Sequence, residues 1–185
     1  MTPADSVGGD ERLRLFLALQ LPEPTLDVLA AWQAAHLRGG RIVPREHLHV
    51  TLAFLGSRPA AELQQIVGAL RTAVAGAAQP VFSPARWRET RSVGMVALED
   101  AGGAAARLAE RLHDRLEGLG VYRREARPWL PHVTVLRFRE RPRLDPPLPE
   151  TGTFVPSGAA AYLSRLHPSG ARYEVLERIL LNEGG

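Results

Sequence analysis

The chain has no cysteine and no lysine, and no apolar run approaches the roughly 20 residues that span a bilayer. Each absence removes a class of chemistry. Without cysteine there are no disulfides, no thiolate metal sites and no cysteine nucleophile. Without lysine, all 23 basic residues are arginine, so neither a lysyl Schiff base nor a covalent lysyl–nucleotide intermediate can form. The first ten residues, Met1 to Asp10, are small, polar and acidic, without the basic and then apolar pattern of a secretory signal. Tails are expected over 1–11 and 182–185, around one domain at 12–181. The expectation is a cytoplasmic monomer with no membrane association and no obligatory protein partner.

Of the 185 residues, 45% are hydrophobic, enough for one domain with a sizeable core or two small lobes sharing one. The pI is about 10.1 while the formal net charge is only +3. The high pI therefore reflects arginine's own pKa more than a strong field. A nucleic-acid partner is permitted by this balance and not demanded by it. Arg123, Arg124, Arg127, Arg137, Arg139, Arg141 and Arg143 cluster in the second half. A solvated face and a phosphate-facing rim both fit such a run.

Patterning predicts alternating strands and helices. Arg12 to Gln20 reads as a strand ended by Pro22, and Pro24 to Leu37 as a helix closed by Gly39-Gly40. Leu48 to Leu55 reads as a strand, and Ala60 to Val74 as a helix with Leu63, Ile66, Val67, Leu70 and Val74 on one stripe. Strands follow near 81–87 and 93–98, then a helix to Leu119 and a strand over Val133–Phe138. The Pro-rich stretch Arg141–Pro156 reads as a surface loop. The segments 160–166 and 172–181, around Pro168-Ser169-Gly170, read as a hairpin. The order strand, helix, His-x-Thr strand occurs twice, around Leu15 to His49 and around Met95 to His132.

Residues i and i+2 of a strand share a face. His49 and Thr51 therefore point one way, with Val50, Leu52 and Phe54 turned toward the core. His132 and Thr134 repeat the arrangement, with Val133 and Val135 inward. An unpaired buried polar group costs about 1–3 kcal/mol, so these polar faces should look onto solvent or a ligand. Two imidazoles and two hydroxyls around one volume suit in-line displacement at phosphorus. One ring removes a proton from water, the other protonates the leaving oxygen, and the hydroxyls donate to the non-bridging oxygens. A single His-x-Thr would carry little weight; the repetition gives the signal.

The stretch His49-Val-Thr-Leu-Ala-Phe-Leu-Gly56 resembles the first motif of the two-histidine phosphoesterase superfamily, and Arg127-Pro-Trp-Leu-Pro-His-Val-Thr-Val-Leu-Arg137 resembles its second. The opening Arg14-Leu-Phe-Leu-Ala-Leu and the hairpin from Leu163 to Leu176 are similar to the branch called 2′-5′ RNA ligase or RNA 2′,3′-cyclic phosphodiesterase. The resemblance implies an α/β (α+β) bilobal, duplicated fold, with two antiparallel sheets flanking a central cleft and helices outside. It implies a hydrolase that opens RNA 2′,3′-cyclic phosphate ends to a 2′-phosphate, without metal or other cofactor. It implies His49 as general acid, His132 as general base, and Thr51, Thr134 and Arg137 at the phosphate. Strict alternation would turn Arg137 away from His132, so its part requires a bulge or a strand end.

Other features read as structural. His47 lies two before His49, but no third metal ligand stands at useful spacing. His113 reads as a solvated helix residue, and His36 and His167 as surface residues. Phe54 and Trp129 read as core, with base stacking as the alternative. Gly102-Gly103 lacks the spacing and lysine of a P-loop. The rival functions are hydrolysis of a small cyclic phosphate, ATP-independent 2′-5′ RNA end joining, a non-catalytic RNA-binding module, and a metal-binding protein using His47 and His49.

Overall fold

The structure, a computed structural model, describes residues 11–181. The expected tails fall outside the described residues except for Glu11, whose carbonyl accepts the Ala60 amide at 2.8 Å. The elements run β1 (Arg12–Gln20), α1 (Glu23–His36), β2 (Arg41–Ile42), β3 (His49–Pro59), α2 (Leu63–Ala75), β4 (Phe82–Glu89), β5 (Val93–Asp100), α3 (Ala104–Gly118), β6 (His132–Arg137), β7 (Gly158–His167) and β8 (Gly170–Ile179). Each expected strand and helix is present to within a few residues. The short β2 and the 3₁₀ turn Arg45–His47 carry no sequence periodicity and lie outside the expected set.

All strand pairs are antiparallel, in the order β4-β5-β6-β3-β1-β7-β8 with β2 on β6. The two expected sheets are the halves of this one ladder. One holds β2, β4, β5 and β6, the other β1, β3, β7 and β8, and they join where Val50 of β3 meets Val133 of β6. The inward positions of the central strands, Leu15, Leu17, Leu19, Val50, Val133 and Val135, are almost completely buried. Against them lie the predicted stripes of α2 (Ile66, Val67, Leu70, Val74) and α3 (Leu108, Leu112, Leu116). Burying a side chain of this size stabilises by about 1.5–3 kcal/mol, so the helices are held to one face. The opposite face stays open along β3 and β6.

The Pro-rich loop is less of a surface feature than its composition suggests. The nearly inaccessible Glu89 side chain accepts from the backbone amides of Arg143 and Leu144 and from Arg141 Nε. Trp32 donates to the Pro147 carbonyl at 2.7 Å, and buried Phe154 bridges to Phe82. Proline removes donors and not acceptors, which leaves the loop's carbonyls and remaining amides free to anchor it.

Candidate active site

The site begins with the join between the halves. Continuing the antiparallel register from Val50 opposite Val133 sets His49 beside Thr134 and Thr51 beside His132. All four side chains are half-buried between fully buried neighbours. Both rings are oriented in the same manner. His49 Nδ1–H donates to the His47 carbonyl at 2.7 Å, and His132 Nδ1–H to the Leu130 carbonyl at 2.8 Å. Each backbone oxygen fixes a tautomer whose Nε2 faces the cleft. In the neutral His49 ring that Nε2 accepts from the Thr51 hydroxyl at 2.9 Å.

His49 keeps an accessible edge, but its flanks are packed by Phe16, Tyr173 and Tyr162, with ring centroids 5.0, 5.8 and 6.2 Å away. This burial pushes its pKa down to about 4. The nearness of Arg137, and of the His132 and His47 rings, adds to the shift, and the bond to the His47 carbonyl opposes it. His47 is also lowered, by burial and by Arg137, against the opposing pull of Glu46. Arg137 is therefore near enough to both rings for its charge to be felt.

Arg137 reaches this position through a bulge. Gly94 pairs with Leu136 and Met95 with Thr134, so Val135 is an extra residue on β6. Val135 and Leu136 are both buried in succession, and the parity of the strand reverses after them. Arg137, displaced by strict alternation, thereby returns to the face of His132 and Thr134. The same device sits in β3. Leu17 pairs with Ala53 and Ala18 with Thr51, so Leu52 is the extra residue, and Leu52 and Ala53 are both buried. Phe54 is consequently not a core residue. It is 64% exposed, on the face of His49, with its ring 5.6 Å from Phe16. Phe54 and Arg137 each follow their histidine by five positions, so the halves are related down to their bulges.

Each bulge carbonyl is held by a buried side chain from the other half's crossover helix. His113 of α3, which follows β5, donates from Nε2 to the Leu52 carbonyl of β3 at 2.8 Å. Gln33 of α1, which follows β1, donates from Nε2 to the Val135 carbonyl of β6 at 2.9 Å and to the Val43 carbonyl at 3.0 Å. His113 is thus no solvated residue; it is buried against Tyr122 because the bulge needs a donor there. Trp129 reaches across in the same way, donating to the Thr51 carbonyl at 3.0 Å.

The remaining candidates fall on either side. Of the arginine run, Arg124 is tied to Asp114 and Glu117 and Arg141 to Glu89. His36 and His167 are exposed, as expected. His47 lies on Tyr173, ring centroids 4.4 Å apart, and no group of three His, Cys, Asp or Glu among the described residues could share a metal ion. Sequence reasoning misses Gln33, Arg41 and Tyr173. For Gln33 a signal exists, since a glutamine between Trp32 and Ala34 on the buried side of an amphipathic helix needs partners.

Known proteins share the sequence pattern and the fold of this chain. The family described as LigT like Phosphoesterase matches residues 19–83, which include His49 and Thr51 and stop before His132. A Thermus thermophilus protein called RNA 2′,3′-cyclic phosphodiesterase is 33% identical over 184 residues, covering 91% of this chain and 90% of its own length. The chain belongs to the LigT-like phosphoesterase family. An Escherichia coli relative of the same name is 28% identical over 94% of this chain and 99% of its own. The LigT-like fold is matched at a TM-score of 0.77 by the crystal structure of a Thermus thermophilus protein, 31% identical over 91% of this chain and 98% of that one. Escherichia coli LigT complexed with 3′-AMP superposes at a TM-score of 0.78, with 23% identity over 94% of this chain and all of that one. No helix of the described residues is long and apolar enough to cross a membrane.

Proposed function

We propose that this protein hydrolyses RNA 2′,3′-cyclic phosphodiester ends to a 2′-phosphate, with His49 as general acid, His132 as general base, and Thr51, Thr134 and Arg137 holding the phosphate. The observation that carries the reading is the pair of backbone-oriented imidazoles presenting Nε2 to one cleft, with Arg137 bulged in beside them. Relatives from Escherichia coli, Methanocaldococcus jannaschii and Thermus thermophilus bear the name of this activity. In the proposed reaction His132 takes a proton from water as its oxygen bonds to phosphorus. The bond from phosphorus to O3′ breaks, and His49 gives O3′ its proton. One histidine gains a proton and the other loses one, and exchange with solvent resets them.

His49 is held neutral because burial and the neighbouring Arg137 guanidinium disfavour its charge. An anionic phosphodiester opposes both causes, so substrate binding draws in the proton that the ring later delivers. The threonine hydroxyls and the Arg137 guanidinium meet the charge developing on the non-bridging oxygens. Phe54 offers a π-face to the terminal base. No step uses a metal, and the test follows. A 2′,3′-cyclic-ended oligonucleotide incubated with excess EDTA should give a 2′-phosphate end at an undiminished rate. Activity that is lost in chelator and restored by zinc, magnesium or manganese would sink the proton-transfer mechanism, and a 3′-phosphate product would exchange the leaving oxygen.

A further inference from the structure

At the end of the cleft away from Phe54, a cavity of about 470 Å³ opens beside His47 and Arg137, lined also by Arg41, Arg172, Tyr173 and Glu46. Its charges are unusually arranged. Arg41 of β2 stands directly opposite Arg137 of β6 in the ladder, so the two guanidinium groups project from the same face. Like charges facing each other across a strand pair are destabilising. Arg41, Arg137 and Arg172 have no carboxylate partner among the described residues. The backbone is shaped to permit this. Any side chain at Gly40 would collide with the Arg137 carbonyl, so only glycine lets β2 close on β6 there. Gly170, at φ +120°, leaves room for Arg41 Nη1, which lies 2.8 Å from where a Cβ would stand and donates to the Ser169 carbonyl at 3.3 Å.

We propose that this cavity is a second phosphate subsite, taking the phosphate on the 5′ side of the nucleotide whose cyclic phosphate is opened. The inference rests on the function proposed above. With the reacting phosphate at the histidines and the base toward Phe54, the other anionic group of a nucleotide is its 5′-phosphate, and the cationic cavity lies on the side opposite the base. Arg41 and Arg172 neutralise it. Arg137, shared by the two sites, stays with the reacting phosphate. The 5′-phosphate has two sources, a terminal monoester or the internucleotide diester of an RNA chain, and both fit the same chemistry.

The test compares adenosine 2′,3′-cyclic phosphate, its 5′-phosphorylated form and the dinucleotide ApA ending in a 2′,3′-cyclic phosphate. The dinucleotide should be hydrolysed with a kcat/KM about tenfold above that of the unphosphorylated monomer, the size of two solvent-exposed guanidinium contacts. Its log kcat/KM should fall more steeply with log salt, by about 0.7 for each added phosphate contact. Arg41→Ala and Arg172→Ala should each remove part of that advantage and part of the salt slope, leave the unphosphorylated monomer unchanged, and be rescued by Arg41→Lys and Arg172→Lys. A gain shared by the 5′-phosphorylated monomer assigns the subsite to phosphate charge in general; a gain confined to the dinucleotide assigns it to the chain diester. Equal rates for all three substrates, or variants that slow all three alike, would overturn the subsite. If none of the three is hydrolysed, it is the proposed function that fails.

Discussion

His49→Ala and His132→Ala should each lower kcat/KM about 10²–10⁴-fold, the span of one general acid or base, with circular dichroism unchanged because both rings face the cleft. A substrate whose leaving group departs unprotonated separates the roles. On it His49→Ala should recover most of its rate and His132→Ala should not; the opposite recovery would exchange the two assignments. Arg137→Ala should cost about 10- to 150-fold in kcat/KM, the loss of one charge-assisted hydrogen bond. Arg139→Ala, two positions further along and exposed, is the control and should change little. An unaffected Arg137→Ala enzyme would return that guanidinium to solvent.

Among the elements, the two catalytic strands depend on bulges, and the bulges depend on helices that cross between halves. Gln33→Leu leaves the Val43 carbonyl without its Gln33 donor and the Val135 carbonyl with only the Val43 amide. It should destabilise by about 1–3 kcal/mol and lower kcat/KM in the manner of Arg137→Ala, because Arg137 reaches the phosphate only through that bulge. The kinetic loss measured well below the melting temperature is what tests the link; a variant that melts earlier but turns over normally would reduce Gln33 to a stability role. His113→Leu should disturb β3 in the corresponding way, since its imidazole serves the Leu52 carbonyl. Its effect should be larger for substrates whose base stacks on Phe54.

At the scale of the whole molecule, the cleft makes stability depend on pH. An unfolded histidine titrates near 6.5, whereas folded His49 stays neutral down to about 4. As pH falls through this window the unfolded chain takes up a proton that the folded chain refuses, so the ligand-free protein loses stability between about 6.5 and 4. Above 6.5 the residue contributes nothing to the slope. The full loss is of the order of 3 kcal/mol. His49→Gln should flatten that part of the profile, and so should a bound 2′-phosphate product, whose charge raises the ring's pKa. Denaturation midpoints of wild type and variant that run parallel from pH 7 to 4 would show that His49 is not held neutral.

The periodic parts of this protein are legible in its residues alone. The apolar stripe of a helix does not depend on a partner for its spacing, so α2 and α3 are readable from Ile66, Val67, Leu70 and from Leu108, Leu112, Leu116. The His-x-Thr pairs declare their shared faces by simple alternation. Where the period breaks, the outcome depends on how the strands pair. A bulge inserts one residue without any local signature, because Leu52 and Val135 are as apolar as their neighbours; the extra residue is defined only against the partner strands β1 and β5. These two one-residue offsets took Phe54 out of the core, brought Arg137 into the cleft and called for buried donors at His113 and Gln33. Likewise β2, two residues long, has no pattern of its own, and Arg41 gains its place only because β6 offers an edge that Gly40 lets it approach.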